Sequence, residues 1–189
     1  MQIAFVIYNG LTLLDLAGVY DPVTRLRSMG FVPDLACDLC ARTPEVRSSE
    51  GARLVPDRVA CDLAEYDYVI VPGGDGVREL MGDPGFLRWI PAPSAKTAVA
   101  AVCGGSLLLG ASGMLRSCRA TTHPDLRGPL AHFAREVSSD RVVDEGRIIT
   151  AGGVTASIDL GLYLCERIAG PEAREKIRRQ MDYSCYRSR

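Results

Sequence analysis

The chain has 189 residues, 47% of them apolar and 24% charged. Such a length and composition predict one globular domain over residues 1–189, long enough to bury a substantial core. A formal net charge of -1, with no basic stripe carrying interleaved aromatics, argues against nucleic acid as a partner and favours a small, neutral or weakly charged ligand.

Residues 2–8, QIAFVIY, form a short apolar run stopped by Asn9 and Gly10, which reads as a strand rather than a secretory leader. From Asp15 to about Met29 the pattern is helical, with Pro22 marking a kink or a late start and Gly30 a stop. A second strand is predicted from Val32 to Cys40. Residues 45–59, with Ser48-Ser49-Glu50-Gly51 as turn material, read as a hairpin. DYVIVPGG, residues 67–74, is a strand ending in a Pro-Gly-Gly turn, and two short helical pieces follow at 76–81 and 84–90.

TAVAAVC, residues 97–103, reads as a fully buried strand and residues 106–113 as a helix. From Thr97 to Leu115 about 19 residues pass without a charge, close to a membrane-spanning length. The Gly104-Gly105 pair divides that run into a strand and a helix, so no membrane segment is expected. Further on, a short strand is predicted at 119–122 and a helix with polar and apolar faces at 124–135. A hairpin follows at 141–153, then two helices at 155–168 and 171–181, with Gly170 and Pro171 between them.

Apolar strands alternating with helices predict a three-layer α/β domain with a mainly parallel sheet covered on both faces. In such sheets sites form beyond the carboxyl ends of the strands. The segments to watch are therefore Asn9 to Asp15, Gly73 to Gly76, Cys103 to Ser106 and Gly152 to Thr155.

Seven cysteines, at 37, 40, 61, 103, 118, 165 and 185, make an odd count without the spacing of a disulfide framework. Reduced thiols in a cytoplasmic protein are the expectation. Cys37 and Cys40 form a C-x-x-C, but on a strand they point to opposite faces and no second pair completes a zinc site. With no metal-ligand cluster, P-loop or dinucleotide fingerprint, no cofactor is expected.

Cys103 sits at a strand-to-helix junction, the geometry that displays a nucleophile. A helix N-terminus there lowers a thiol pKa toward the thiolate; the competing reading is a small buried hydrophobe. Asp15, between Leu14 and Leu16, either caps the first helix or is kept for chemistry. Beside a thiolate its pKa rises, which suits a general acid or base. His123 follows a short strand and is within reach of a site, either as a partner for a cysteine or as a hydrogen-bonded structural histidine. His132 is expected on a solvated helix face.

LTLLDLAGVYDP, DYVIVPGGDGVRELMGDP, AVCGGSLLLGASGMLRSCRATTHPD and GRIITAGGVTASIDLGLYL together resemble the ThiJ/PfpI superfamily, and within it the isonitrile hydratase branch, from about Gln2 to Tyr183. The resemblance implies a flavodoxin-like α/β/α sandwich of the class I glutamine-amidotransferase type, a homodimer, and a reactive cysteine at Cys103. It also implies Asp15 as general acid/base and a pocket lined by the Pro-Gly-Gly turn, hence by Gly73 and Gly74. The implied reaction is hydration of a hydrophobic isonitrile to an N-substituted formamide through a covalent thioimidate, with backbone donors at Gly74 and Gly104 and no cofactor.

Glyoxalase-like and protease-like branches place a histidine after the cysteine and a glutamate where Asp15 stands. Here Gly104 and Asp15 occupy those places. Two departures from the hydratase pattern stand out: Cys-Gly-Gly-Ser replaces Cys-Thr-Gly-Ser, and Pro124 replaces an aromatic. Glyoxalase, deglycase or redox-stress chemistry and a non-catalytic ligand-sensing domain are the alternative functions. A DNA-reading regulator is not expected in a chain ending at Arg189.

Overall fold

The computed structural model describes residues 1–184; Cys185 lies outside the described residues. In chain order the elements are β1 (Gln2–Val6), α1 (Leu13–Ser28), β2 (Ala36–Ala41), β3 (Val46–Arg47), β4 (Arg53–Leu54) and β5 (Arg58–Val59). Then come β6 (Tyr68–Val71), α2 (Val77–Leu80), α3 (Pro84–Trp89), β7 (Ala98–Val102), α4 (Gly105–Ala111) and β8 (Arg119–Ala120). The last are α5 (Arg127–Leu130), β9 (Glu136–Val137), β10 (Val142–Asp144), β11 (Ile148–Ala151) and α6 (Ala156–Gln180).

Seven strands form one sheet in the order β10-β11-β7-β6-β1-β2-β5. Every pairing is parallel except that of β10 with β11. On β1, Ile3 lies opposite Cys37 of β2 on one side and Tyr68 of β6 on the other. The chain therefore builds outward from β1 in one direction and then reverses through β6 and β7. The switch point thus lies between β1 and β6, and the loops that follow these strands are bonded to each other there: the Thr12 N–H donates to Gly73 O at 2.9 Å and the Gly76 N–H to Gly10 O at 3.1 Å.

Burial on both faces explains the unbroken apolar strands: Ile3 to Val6, and Ala98 to Val102, are inaccessible to solvent. α1 packs along α6, while α2, α3 and α5 gather around α4. Close approach of α1 and α6 depends on small residues. Gly18 lies against Ser157 and Gly161 against the Pro22 ring, and the Ser157 hydroxyl donates to Leu14 O at 3.1 Å.

Several local expectations need adjusting. The second strand begins at Ala36 rather than Val32, because Pro33 and Asp34 form a turn. The helix expected over 124–135 is a 3-10 turn at Pro124–Leu126 followed by the single turn of α5. Two prolines and Gly128 remove the donors and stiffness a longer helix needs. The hairpin at 45–59 is β3 paired with β4, after which β5 joins the main sheet. Pro22 is carried inside α1. Gly170, at φ 86°, breaks α6 where two helices were predicted. Among the described residues no helix is long and apolar enough to cross a membrane; the uncharged run from Thr97 becomes β7 and α4.

Candidate active site

Cys103 follows the last residue of β7 and adopts φ 54°, a left-handed conformation that costs a non-glycine residue free energy. The surroundings hold it there. Its N–H donates to Ala151 O and Gly152 O at 3.0 and 3.1 Å, and its carbonyl accepts from the Thr122 hydroxyl at 2.6 Å. Gly105 then fits against the carbonyls of Val71 and Pro72, where a Cβ has no room. The glycine pair thus lets the chain turn tightly over the end of β6 and present Cys103, a residue 8% exposed.

Asp15 stands at the third position of α1 and is wholly inaccessible to solvent. It does not cap its own helix. Thr12 occupies the cap position, and the Leu13 N–H is met by the Glu50 carboxylate at 3.2 Å. Asp15 Oδ2 instead accepts from the Gly73 N–H at 3.1 Å. Oδ1 is buried without a hydrogen-bond partner among the described residues, a state that disfavours the charged carboxylate. A Cβ added to Gly73 would lie 2.5 Å from Gly104 N, 2.9 Å from Asp15 Oδ2 and 2.9 Å from Cys103 Cβ. The three groups therefore close around one glycine.

Burial is the main cause that raises the Asp15 carboxyl to about 7; the facing Cys103 thiol and the Gly73 N–H pull it back, and the Glu50 charge adds to the rise. Burial likewise pushes the Cys103 thiol up to about 12, reinforced by the Asp15 charge and opposed by the Gly104 N–H. This corrects the expectation of a thiolate favoured by the helix N-terminus. In so dry a place desolvation outweighs one donor at the start of a seven-residue helix. It also corrects the cause assigned to Asp15, whose raised value comes first from burial rather than from a thiolate. The pair at neutral pH is a thiol facing a carboxyl poised to titrate.

A pocket of about 760 Å³ opens onto Cys103 and Gly104. Val77, Met81, Leu107, Leu126, Pro129 and Val154 give it apolar walls, while Asp75, Arg78 and Asp125 bring charge to its lining. Gly74 lines it too, at φ 134°, with Gly73 beneath bonded through its carbonyl to Thr12 N at 2.9 Å. His123 forms part of the wall, packed over Gly153. Its Nδ1 accepts from Asp125 N at 3.2 Å and caps the 3-10 turn, the structural role. His132 is exposed and does not line the pocket.

The DJ-1/PfpI family profile matches residues 1–167. The chain belongs to the DJ-1/PfpI family. Within the family it is 36% identical to the isonitrile hydratase of Pseudomonas putida over 97% of this chain and 79% of that one. It is 31% identical to a glutathione-independent glyoxalase of Caenorhabditis elegans over 69% of this chain and 71% of that one. A ThiJ/PfpI family protein from Pseudomonas syringae superposes with a TM-score of 0.85 at 29% identity, covering 100% of this chain and 77% of that one. The flavodoxin-like α/β/α sandwich is thus the architecture of the family.

Sequence reasoning missed Tyr8. Its ring is buried, its hydroxyl donates to Pro72 O at 2.6 Å, and it faces both Asp15 and Cys103. A tyrosine just past a buried strand, at the end of the sheet where sites form, was the available signal, since a buried phenol needs a partner. Thr122 and Glu50 were also passed over; both act through backbone atoms distant in sequence.

Proposed function

We propose that the chain hydrates isonitriles, with Cys103 as nucleophile and Asp15 as general acid/base. The observation that carries this reading is the buried Asp15 carboxyl facing the Cys103 thiol at the floor of an apolar pocket. The 36% identity to an isonitrile hydratase supports it.

The Cys103 thiol is too weak an acid to ionise alone, so attack is coupled to proton transfer. Asp15 carboxylate takes the thiol proton and passes it to the terminal carbon of R–N≡C as the S–C bond forms. The product is the thioimidate Cys103–S–CH=N–R. Water then adds to that carbon, with Asp15 moving the proton and the N–H groups of Gly74 and Gly104 steadying developing charge. The C–S bond breaks, the proton returns to sulfur, and R–NH–CHO leaves. The apolar walls suit a hydrophobic R group.

The test is formamide production from an aryl isonitrile by the purified protein. Cys103→Ala abolishes it, and Asp15→Asn slows it by about 10²–10⁴-fold, the usual weight of a general acid/base. Because the carboxylate form must accept the first proton, kcat/KM rises with pH through about 7. Turnover that survives Cys103→Ala overturns the reading. Consumption of methylglyoxal in place of isonitrile moves the chain to the glyoxalase side of the family.

A further inference from the structure

The peptide unit joining Pro72 to Gly73 is gripped at both ends. Its carbonyl accepts from the Tyr8 hydroxyl at 2.6 Å, and its N–H donates to Asp15 Oδ2 at 3.1 Å. A trans peptide is rigid and planar, with C=O and N–H pointing opposite ways. Tyr8 O–H, the peptide and the Asp15 carboxylate therefore form one continuous chain of hydrogen bonds running under Cys103. Such chains are cooperative: a donor on the carbonyl polarises the amide and strengthens its N–H toward an acceptor.

We propose that Tyr8 is a positioning residue for Asp15, acting through the Pro72–Gly73 peptide to orient the carboxylate and to favour its charged form. The hydroxyl does not need to touch substrate, and Tyr8 does not line the pocket. Its ring is fixed separately, edge-on against Phe86 with centroids 5.6 Å apart. The other groups facing Asp15 are the Cys103 thiol from the β7–α4 turn and the Glu50 carboxylate from the β3–β4 turn. Glu50 disfavours the carboxylate by like charge while the Cys103 thiol favours it, so the polarised peptide N–H acts with the thiol and against Glu50. Those facing Tyr8 are Asp15 and Cys103. Burial first, and then these two groups, raise the phenol pKa and keep the hydroxyl protonated as a donor.

The inference rests on the role proposed for Asp15, but its test does not require turnover. The Asp15 carboxyl is followed by 13C NMR in aspartate-labelled protein, with its resonance assigned through Asp15→Asn. The wild-type midpoint lies near 7. Tyr8→Phe keeps the ring and removes the donor, and cooperative strengthening of about 10–30% of a hydrogen bond to a charged group predicts an upward shift of about 0.1–0.7 of a pH unit. Placing 3-fluorotyrosine at position 8, a stronger donor of nearly the same shape, moves the midpoint down; this variant carries the test even where Tyr8→Phe fails to fold. Midpoints that stay fixed in the variants overturn the proposal, even if Tyr8→Phe melts earlier, because lost stability is all a merely structural hydroxyl would produce. With isonitrile as substrate, the acidic limb of kcat/KM shifts in the same direction as the midpoint. Shifted midpoints without any isonitrile turnover support the relay and count against the hydratase reading alone.

Discussion

Asp15 ties the proposed chemistry of the site to the stability of the fold. Its folded pKa of about 7 exceeds the ordinary 3.8, so the native chain keeps a proton that the unfolded chain gives up. Stability from this group is intact below about pH 4 and is lost as pH rises through about 7. At about 1.4 kcal/mol per unit, the loss reaches up to about 4 kcal/mol. Asp15→Asn has no proton to lose. Thermal melts should show the variant gaining several degrees on the wild type between pH 5 and pH 8, whereas a constant offset across that range would contradict a proton held in the buried site. Cys103 and Asp15 were legible because a lone cysteine before two glycines, and a carboxylate between leucines, interrupt apolar patterns. Tyr8 was not, since its partner, Pro72, lies 64 residues away. The expected thiolate at Cys103 was misread for a related reason, although the raised Asp15 value was foreseen: burial at the site comes from loops distant in sequence, whereas the helix N-terminus is visible locally.

At the scale of elements, the α1–α6 contact holds Asp15 in place from behind. α1 carries Asp15 at its start, and one and two turns further on Gly18 and Pro22 meet Ser157 and Gly161 of α6. A methyl added at Gly161 would overlap the Pro22 ring and crowd Gly18 O. Overpacking of this kind costs about 1–3 kcal/mol. Gly161→Ala should therefore lower the melting temperature by about 2–12 °C, measured by calorimetry; an unchanged melt would show that the two helices are not so tightly apposed. Periodicity located most elements, because buried strands and amphipathic helices carry their patterns within themselves. It failed where backbone chemistry decided the outcome, as at Pro33-Asp34 before β2 and at Gly128-Pro129 within the expected 124–135 helix. Nor did it foretell that Gly18 and Gly161 would face one another.

For the whole molecule, the reversal of strand order at β1 brings four distant loops together. Asp15 enters from the first turn of α1, which follows the loop after β1, Gly73 and Gly74 from the loop after β6, Cys103 from that after β7, and Gly153 supports His123 from that after β11. Alternating strands and helices predicted this sheet type and the end where a site would form. Strand order was beyond reach, since similar apolar strands do not specify their neighbours locally. The assembled site predicts a covalent intermediate on one thiol. Rapid acid quenching of the protein during turnover of an aryl isonitrile, followed by intact-mass and peptide mass spectrometry, should find a population heavier by the whole isonitrile, with the added mass on the peptide containing Cys103. Formamide produced at full rate with no such adduct at any quench time, or with the adduct on another cysteine, would contradict nucleophilic catalysis by Cys103.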